Sequence, residues 1–253
     1  MPHHLQVSAP PRSRLTLLLA LAGPALGLAP GCEAPGSTLP RSPRTGEMSV
    51  RPGINAELKQ GNIELWVERF EGESREVYQG RHRIVEMVGA GPGMRIADVG
   101  AGTGFFAEMF AERVGPQGRV YAVEIIPEFL EHIRTRAASQ GLDNLVTVLC
   151  TEDSVELPPR SIDLAFICDT YHHFEYPKST LATLHEALAP GGEVIVVDFK
   201  RIPGVSREWV VNHVRGGQDE VIEEMASAGF EVVSRGDDLD FLNENYVMRL
   251  RRR

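Results

Sequence analysis

From Met94 onward the chain alternates short apolar runs with longer amphipathic ones. Arg95–Val99 is apolar, β-branched in part and five residues long, which predicts a buried strand. Phe105–Val114 has helical spacing and closes on Gly115-Pro116. The pattern then repeats. Strands are predicted over Arg119–Glu124, Leu145–Cys150, Ile162–Cys168 and Glu193–Phe199, and helices over Pro127–Gln140 and Lys178–Leu188. Pro127 suits a helix start and Gly141 a helix end. Helices follow over Ser206–Arg215 and Asp219–Ala228, then strands over Phe230–Ser234 and Tyr246–Leu250 around the acidic pair Asp237-Asp238. Strands separated by helices need crossover connections, so the sheet is α/β, doubly wound and mostly parallel. The last two strands have no helix between them and are expected to pair antiparallel.

The residues before Met94 divide differently. Leu58, Ile63, Leu65, Trp66, Val67 and Phe70 mark one helix, and Val77, Ile84, Val85 and Val88 a second from Glu76 to Val88. These helices, within 56–93, are expected to cover the open end of the sheet. Residues 32–55 are rich in Pro, Gly, Ser and Thr and lack apolar periodicity, which predicts a disordered linker. Residues 1–31 carry Arg12 and Arg14 ahead of the apolar run Leu15–Ala22, an arrangement expected of a secretory signal. Ala29-Pro-Gly-Cys32 resembles the lipobox of bacterial lipoproteins, whose cysteine carries the lipid; here Ala29 stands where Leu is preferred. The resemblance implies an exported chain anchored at the membrane through Cys32 and facing the periplasm. The alternative is a cytoplasmic protein opening at Met48.

Composition narrows the partners. The 253 residues are 42% hydrophobic and carry a net charge of -9, which is globular and argues against nucleic acid. Any membrane contact is expected only through the lipid. The three cysteines, Cys32, Cys150 and Cys168, have no metal spacing.

The stretch Ile96-Ala-Asp-Val-Gly-Ala-Gly-Thr-Gly104 carries the chemistry. Glycines at Gly100, Gly102 and Gly104 remove Cβ atoms where a ligand approaches the backbone, and the following helix offers unpaired N–H groups. Gly102-Thr-Gly104-Phe-Phe-Ala107 with Glu124 about twenty residues on also satisfies a dinucleotide fingerprint, so a nicotinamide oxidoreductase is one reading.

The later strand ends point elsewhere. Glu152-Asp153 follows the third strand, Asp169-Thr-Tyr-His-His173 the fourth, and Leu188-Ala-Pro-Gly-Gly192 leads into the fifth. From Met94 to Leu250 the series resembles the class I S-adenosylmethionine-dependent methyltransferases. That resemblance implies a seven-stranded Rossmann-like sheet with an antiparallel last strand, occupying 94–253, and S-adenosylmethionine as cofactor. It implies that Gly100, Ala101, Gly102, Thr103 and Gly104 pass the backbone close to the cofactor. Glu124, followed by Ile125, would accept the ribose hydroxyls. Glu152, Asp153 and Ser154 would lie at the adenine, with Asp153 accepting from its amine. Asp98 would hold the methionine amino group or bond the loop amides. The segment Cys168–Phe174 would face the methyl, making His172 and His173 candidate bases with Asp169 and Tyr171 beside them. Trp66, Phe70, Arg75 and Tyr78 are candidate lid residues, Trp66 and Phe70 equally explained as core.

No metal is expected: a catechol-type site needs more acidic ligands than Asp169 supplies. In the family's strand order Cys150 and Cys168 stand about 14 Å apart, three strand spacings. That is beyond disulfide reach, so both are expected as free thiols. The acceptor is expected to be a small molecule. A non-catalytic binder of S-adenosylmethionine remains an alternative.

Overall fold

The computed structural model describes residues 39–253 apart from 61, 73, 74, 237 and 238. The leader, Cys32, the lipobox and the pair Asp237-Asp238 lie outside the described residues. The elements, in chain order, are α1 (Ile63–Phe70), α2 (Glu76–Gln79), α3 (Arg81–Val88), β1 (Arg95–Val99), α4 (Phe105–Val114), β2 (Arg119–Glu124), α5 (Pro127–Gln140) and β3 (Leu145–Leu149). They continue with β4 (Ile162–Cys168), α6 (Pro177–Ala187), β5 (Leu188–Phe199), α7 (Glu208–His213), α8 (Gln218–Ser227), β6 (Phe230–Gly236) and β7 (Asn245–Arg252). Single-turn helices occupy Leu58–Gln60 and Tyr171–His173.

The strands form one sheet in the order β3-β2-β1-β4-β5-β7-β6. All pairs are parallel except those of β7, which runs antiparallel to β5 and β6. This is the expected α/β sheet. Its period-2 alternation feeds two cores. Ile96, Val120, Leu164 and Phe166 pack with Ile84 and Val85 of α3, Phe106 and Phe110 of α4, and Ile133 of α5. Ala97, Val99, Ala165, Ile167 and Val196 face the other way, onto Leu181 and Leu184 of α6 and Val221 and Met225 of α8. Residues i and i+1 of a strand point to opposite faces, so each buried strand serves both layers. The strand order reverses between β1 and β4, and the crevice beyond the strand ends there is where such sheets take ligands.

Two expectations are corrected. The helix expected over Glu76–Val88 is broken at Gly80. A Cβ at Gly80 would sit 2.7 Å from the Phe241 ring, so the chain turns there under the loop between β6 and β7. The break gives α2 its own task. The Glu76 carboxylate accepts from the backbone N–H groups of Asn243 (2.7 Å), Glu244 (2.8 Å) and Asn245 (2.7 Å), fastening α2 to the start of β7.

The second correction concerns the linker expected over 32–55. Its described part, 39–55, is bound to the domain. Arg41 and Met48 form an antiparallel bridge. Ser42 Oγ donates to Asp153 Oδ2 at 2.7 Å, and Glu47 accepts from the N–H groups of Lys178 (3.0 Å) and Ser179 (2.7 Å) at the start of α6. A carboxylate at a helix N-terminus satisfies orphan amides and complements the dipole. The strap therefore holds through polar contacts, which apolar periodicity does not register. Ser42→Ala removes one acceptor's partner at a buried carboxylate. It is expected to cost about 1–3 kcal/mol, measured by urea unfolding.

Candidate cofactor and acceptor site

One cavity of about 540 Å³ opens at the crevice, within the range of small-molecule sites, roughly 300–1,000 Å³. Its walls come from the β1 turn (Gly100, Gly102), the β2 end (Glu124, Ile125), the β3 loop (Cys150, Thr151, Glu152, Ser154) and the β4 loop (Asp169, Thr170, His172, His173). Helices α1 and α2 supply Trp66, Arg69, Phe70 and Glu76, and the strap supplies Ile54 and Asn55.

Glu124 ties the first two walls together. Its Oε2 accepts from Gly102 N–H at 2.9 Å, and its Oε1 from Ile125 (2.7 Å) and Ile126 (3.0 Å). Burial pushes its carboxyl up, and these amides pull it back down. The glycine turn works by close approach. Gly100 has φ 74°, and a Cβ there would lie 2.1 Å from Thr170 Cγ2. A Cβ at Gly102 would lie 3.4 Å from the Phe70 ring. Phe70 packs on Trp66 and Phe129, with ring centroids at 5.2 and 6.1 Å. The α1 helix thus sets Phe70 over the turn, and its Asn62 cap accepts from Glu64 N–H at 2.7 Å. Trp66 and Phe70 are both core and cavity wall.

Several expected cofactor residues stand off the cavity wall. Asp98 is 3% exposed, behind the turn, with its Oδ2 lacking a hydrogen-bond partner. Burial and the Glu124 charge push its carboxyl up to about 7, against a hydrogen bond from Ala107 N–H. The bond it receives comes from the first turn of α4 and not from the loop amides of Gly100–Gly104. Ala101, Thr103 and Gly104 also lie behind the turn; a Cβ at Gly104 would meet Ile133 at 2.5 Å. Asp153 is occupied by Ser42, by Arg44 N–H (3.3 Å) and by Thr151 Oγ1 (2.8 Å). Its expected adenine contact is replaced by a structural one. Tyr78 packs edge-on against Phe105 at 5.4 Å, under the Arg81 guanidinium, and is not on the wall.

Asp169 holds the β4 loop to the lid. It has φ 48°, a left-handed conformation that Asp tolerates better than most residues. Its carboxylate pairs with Arg75 and accepts from Asn245 Nδ2 at 2.5 Å. Tyr171 turns away from the cavity and donates to Glu224 Oε2 at 2.7 Å.

The two predicted bases differ. His172 Nδ1 lies 2.7 Å from Asp198 Oδ1, and Asp198 Oδ2 accepts from the His172 N–H at 3.1 Å. An ionised carboxylate only accepts, so His172 donates from Nδ1 and keeps its lone pair on Nε2. His173 Nδ1 lies 3.1 Å from Asn55 Oδ1, and Asn55 Nδ2 donates to the His173 carbonyl at 3.3 Å. Burial, then the neighbouring imidazoles, push His173 down to about 2. A group that acidic is a poor proton acceptor at neutral pH.

Sequence reasoning missed His213, Asn55, Phe199 and Trp209. His213 ends α7, its ring stacked on Trp209 at 4.7 Å, with its Nε2 3.4 Å from His173 Nε2. Burial pushes it down to about 4. The one sequence signal was a polar histidine four residues after an aromatic in a short helix. Cys150 and Cys168 are free, three strand positions apart as expected, and burial raises both thiols.

A methyltransferase domain family model matches residues 90–243, more than half of the chain. The chain belongs to that family. It is 29% identical over 128 residues to a ubiquinone/menaquinone biosynthesis C-methyltransferase of Cupriavidus taiwanensis, covering 49% of this chain and 52% of that one. It is 36% identical over 118 residues to a protein-L-isoaspartate O-methyltransferase of Aeropyrum pernix, covering 45% and 42%. The chain thus spans about half the length of these curated relatives. Its fold matches a SAM-dependent methyltransferase structure from Aquifex aeolicus with TM-score 0.66 and 21% identity, over 76% of this chain and 99% of that one.

The Asp98 carboxyl gives a pH prediction. Its folded pKa, about 7, lies above the usual Asp value. The folded state therefore holds a proton that the unfolded chain has released, and ligand-free stability falls as pH rises from about 4 to 7. Asp98→Asn is expected to flatten that decline, read as urea midpoints across pH.

Proposed function

We propose that this protein transfers a methyl group from S-adenosylmethionine to a small-molecule acceptor. The observation that carries the reading is Glu124, a buried carboxylate at the β2 end, sharing one cavity with the cradle at Gly100 and Gly102. A carboxylate with two oxygens suits a pair of vicinal ribose hydroxyls. The residues present fit this cofactor. Gly100 and Gly102 hold the turn's backbone bare on the cavity wall, although a Cβ at Gly100 would strike Thr170 first, and Asp98 Oδ2 is an unpartnered buried oxygen behind the turn. Thr151, Glu152 and Ser154 offer the adenine wall, with Glu152 held by Lys59 at 2.7 Å.

S-adenosylmethionine supplies a methyl group on a sulfonium, displaced in line with the electron pair left on sulfur. The chain supplies placement. Arg75, Glu76 and Phe70 fasten α1 and α2 at the crevice, which fixes the walls that position the reacting groups. Alignment of bound reactants can contribute several kcal/mol, about 7–11 in ideal cases. Asp198 fixes the His172 tautomer, leaving Nε2 as the proton acceptor of the two predicted bases. The relatives named above are a C-methyltransferase and an O-methyltransferase; the size of the cavity, about 540 Å³, supports a small-molecule acceptor.

The reading extends to location. The leader and Cys32 support an exported, lipid-anchored protein. Residues 42–47 bond to Asp153, Glu156 and Ser179, so a chain opening at Met48 would lose contacts the domain uses. Among the described residues no helix is long and apolar enough to cross a membrane. Mass spectrometry of the mature N-terminus is expected to find a lipidated Cys32; an unprocessed start at Met48 would refute export.

Calorimetric titration with S-adenosylmethionine is expected to show one site, weakened at least about 100-fold in Glu124→Ala. Release of S-adenosylhomocysteine with phenols, quinones or small thiols is the catalytic readout. Binding without any such release would make the protein a binder, not an enzyme.

A further inference from the structure

His172, His173 and His213 each bring one ring nitrogen to within 4.8 Å of the others, on the wall of the cofactor cavity. They come from two distant segments, the β4 loop and the end of α7. We propose that these three histidines form a site for a divalent transition-metal ion of the zinc class, with an open coordination position toward the cavity.

Three observations carry this. The first is direction. Asp198 accepts a hydrogen bond from Nδ1–H of His172, and Asn55 Oδ1 accepts from Nδ1–H of His173, since the Asn55 amide nitrogen is committed to the His173 carbonyl. Both rings therefore hold their lone pairs on Nε2. The second is spacing. His173 Nε2 and His213 Nε2 are 3.4 Å apart. Zinc–nitrogen bonds of about 2.0–2.1 Å in a tetrahedron place adjacent ligand atoms about 3.3 Å apart.

The third is support behind each ligand. Metal-bound histidines donate their second nitrogen to a carboxylate or amide oxygen, which fixes the ring. Asp198, 2% exposed, and Asn55, 6% exposed, stand in those positions. His213 is clamped by its stack on Trp209 and by Arg51, which donates to the carbonyls of His213 (2.5 Å) and Asn212 (2.9 Å). A lone general base needs one oriented imidazole, and this site orients three. Three imidazoles and no sulfur or carboxylate in the inner set suit zinc, cobalt or nickel rather than magnesium or calcium.

The site deepens the proposed function and rests on it for its purpose. Three protein ligands leave a fourth position open, as in catalytic zinc sites. A thiol or phenol of the acceptor bound there would release its proton to solvent and keep its lone pair on the ligating atom, facing the cofactor cavity. In that state His172 Nε2 is a ligand, and lowering of the acceptor's pKa passes to the cation.

The test is zinc titration of the chelator-treated full chain, without a polyhistidine tag, by calorimetry and metal analysis. One zinc per chain is expected at this site. His173→Ala and His213→Ala should each weaken it at least about tenfold, and Asp198→Asn about 10–100-fold. His213→Cys, which restores a ligand, should recover binding, and cobalt should give the visible spectrum of a tetrahedral site that is lost in His213→Ala. Absence of saturable binding, or binding unchanged in His173→Ala and His213→Ala, overturns the proposal. S-adenosylmethionine titrated into the same samples separates the two readings. Zinc without S-adenosylmethionine would sink the methyltransferase reading and leave the metal site, and the reverse would sink the metal site alone.

Discussion

Everything at the open end of this sheet depends on how the Glu124 carboxylate is held. A glycine-rich turn has little side-chain packing of its own, so something must fix its backbone. Glu124 does so by accepting one amide from the turn and two from the entry to α5. Hydrogen bonds to a charged group are worth about 1.5–3 kcal/mol each, and these three oppose the cost of burying the carboxylate. The same charge acts on Asp98 behind the turn, where a second carboxylate in the same buried region stays near its midpoint at neutral pH. Turn geometry and local electrostatics are therefore one constraint. A ligand that brings donors to Glu124 meets a carboxylate whose position is already set, which is what preorganisation requires.

The lid repeats the device with different residues. Glu76 binds three consecutive amides before β7, and Asp169 binds Arg75 from the lid and Asn245 from β7. Glu47 caps α6 from the strap. Each is a carboxylate accepting from backbone or cation across a long chain separation. The covering segments are joined to the sheet by such polar clamps, by the Trp66–Phe70–Phe129 cluster and, in α2, by Val77 buried in the main core.

The clamps also explain what the sequence revealed and what it hid. Strand alternation, helix ends at Gly115 and Gly141, and the glycine turn are local signals, and they placed the sheet and put Glu124 at the end of β2. The strap over 39–55 was invisible because its contacts are polar and its composition is that of a linker. Asp153 illustrates the cost. An acidic residue after β3 is a sound adenine candidate until Ser42, 111 positions earlier in the chain, is seen on its carboxylate. His213 was hidden for the same reason. Nothing near it in sequence says that α7 returns to the β4 loop.

The cavity thus has two chemically distinct walls. Glu124 at the β2 end and His172 after β4 belong to strands two positions apart in the sheet, about 10 Å. The wall toward β2 is built from backbone close approach and one carboxylate, requirements that any sequence with this turn must meet. The wall toward β4 is built from Asp198, Asn55, Trp209 and three imidazoles drawn from four separate segments. The fold dictates none of these residues. A common sheet can therefore present the same donor to different acceptors. The histidine wall is the part of the cavity that neither the strand pattern nor the glycine turn specifies.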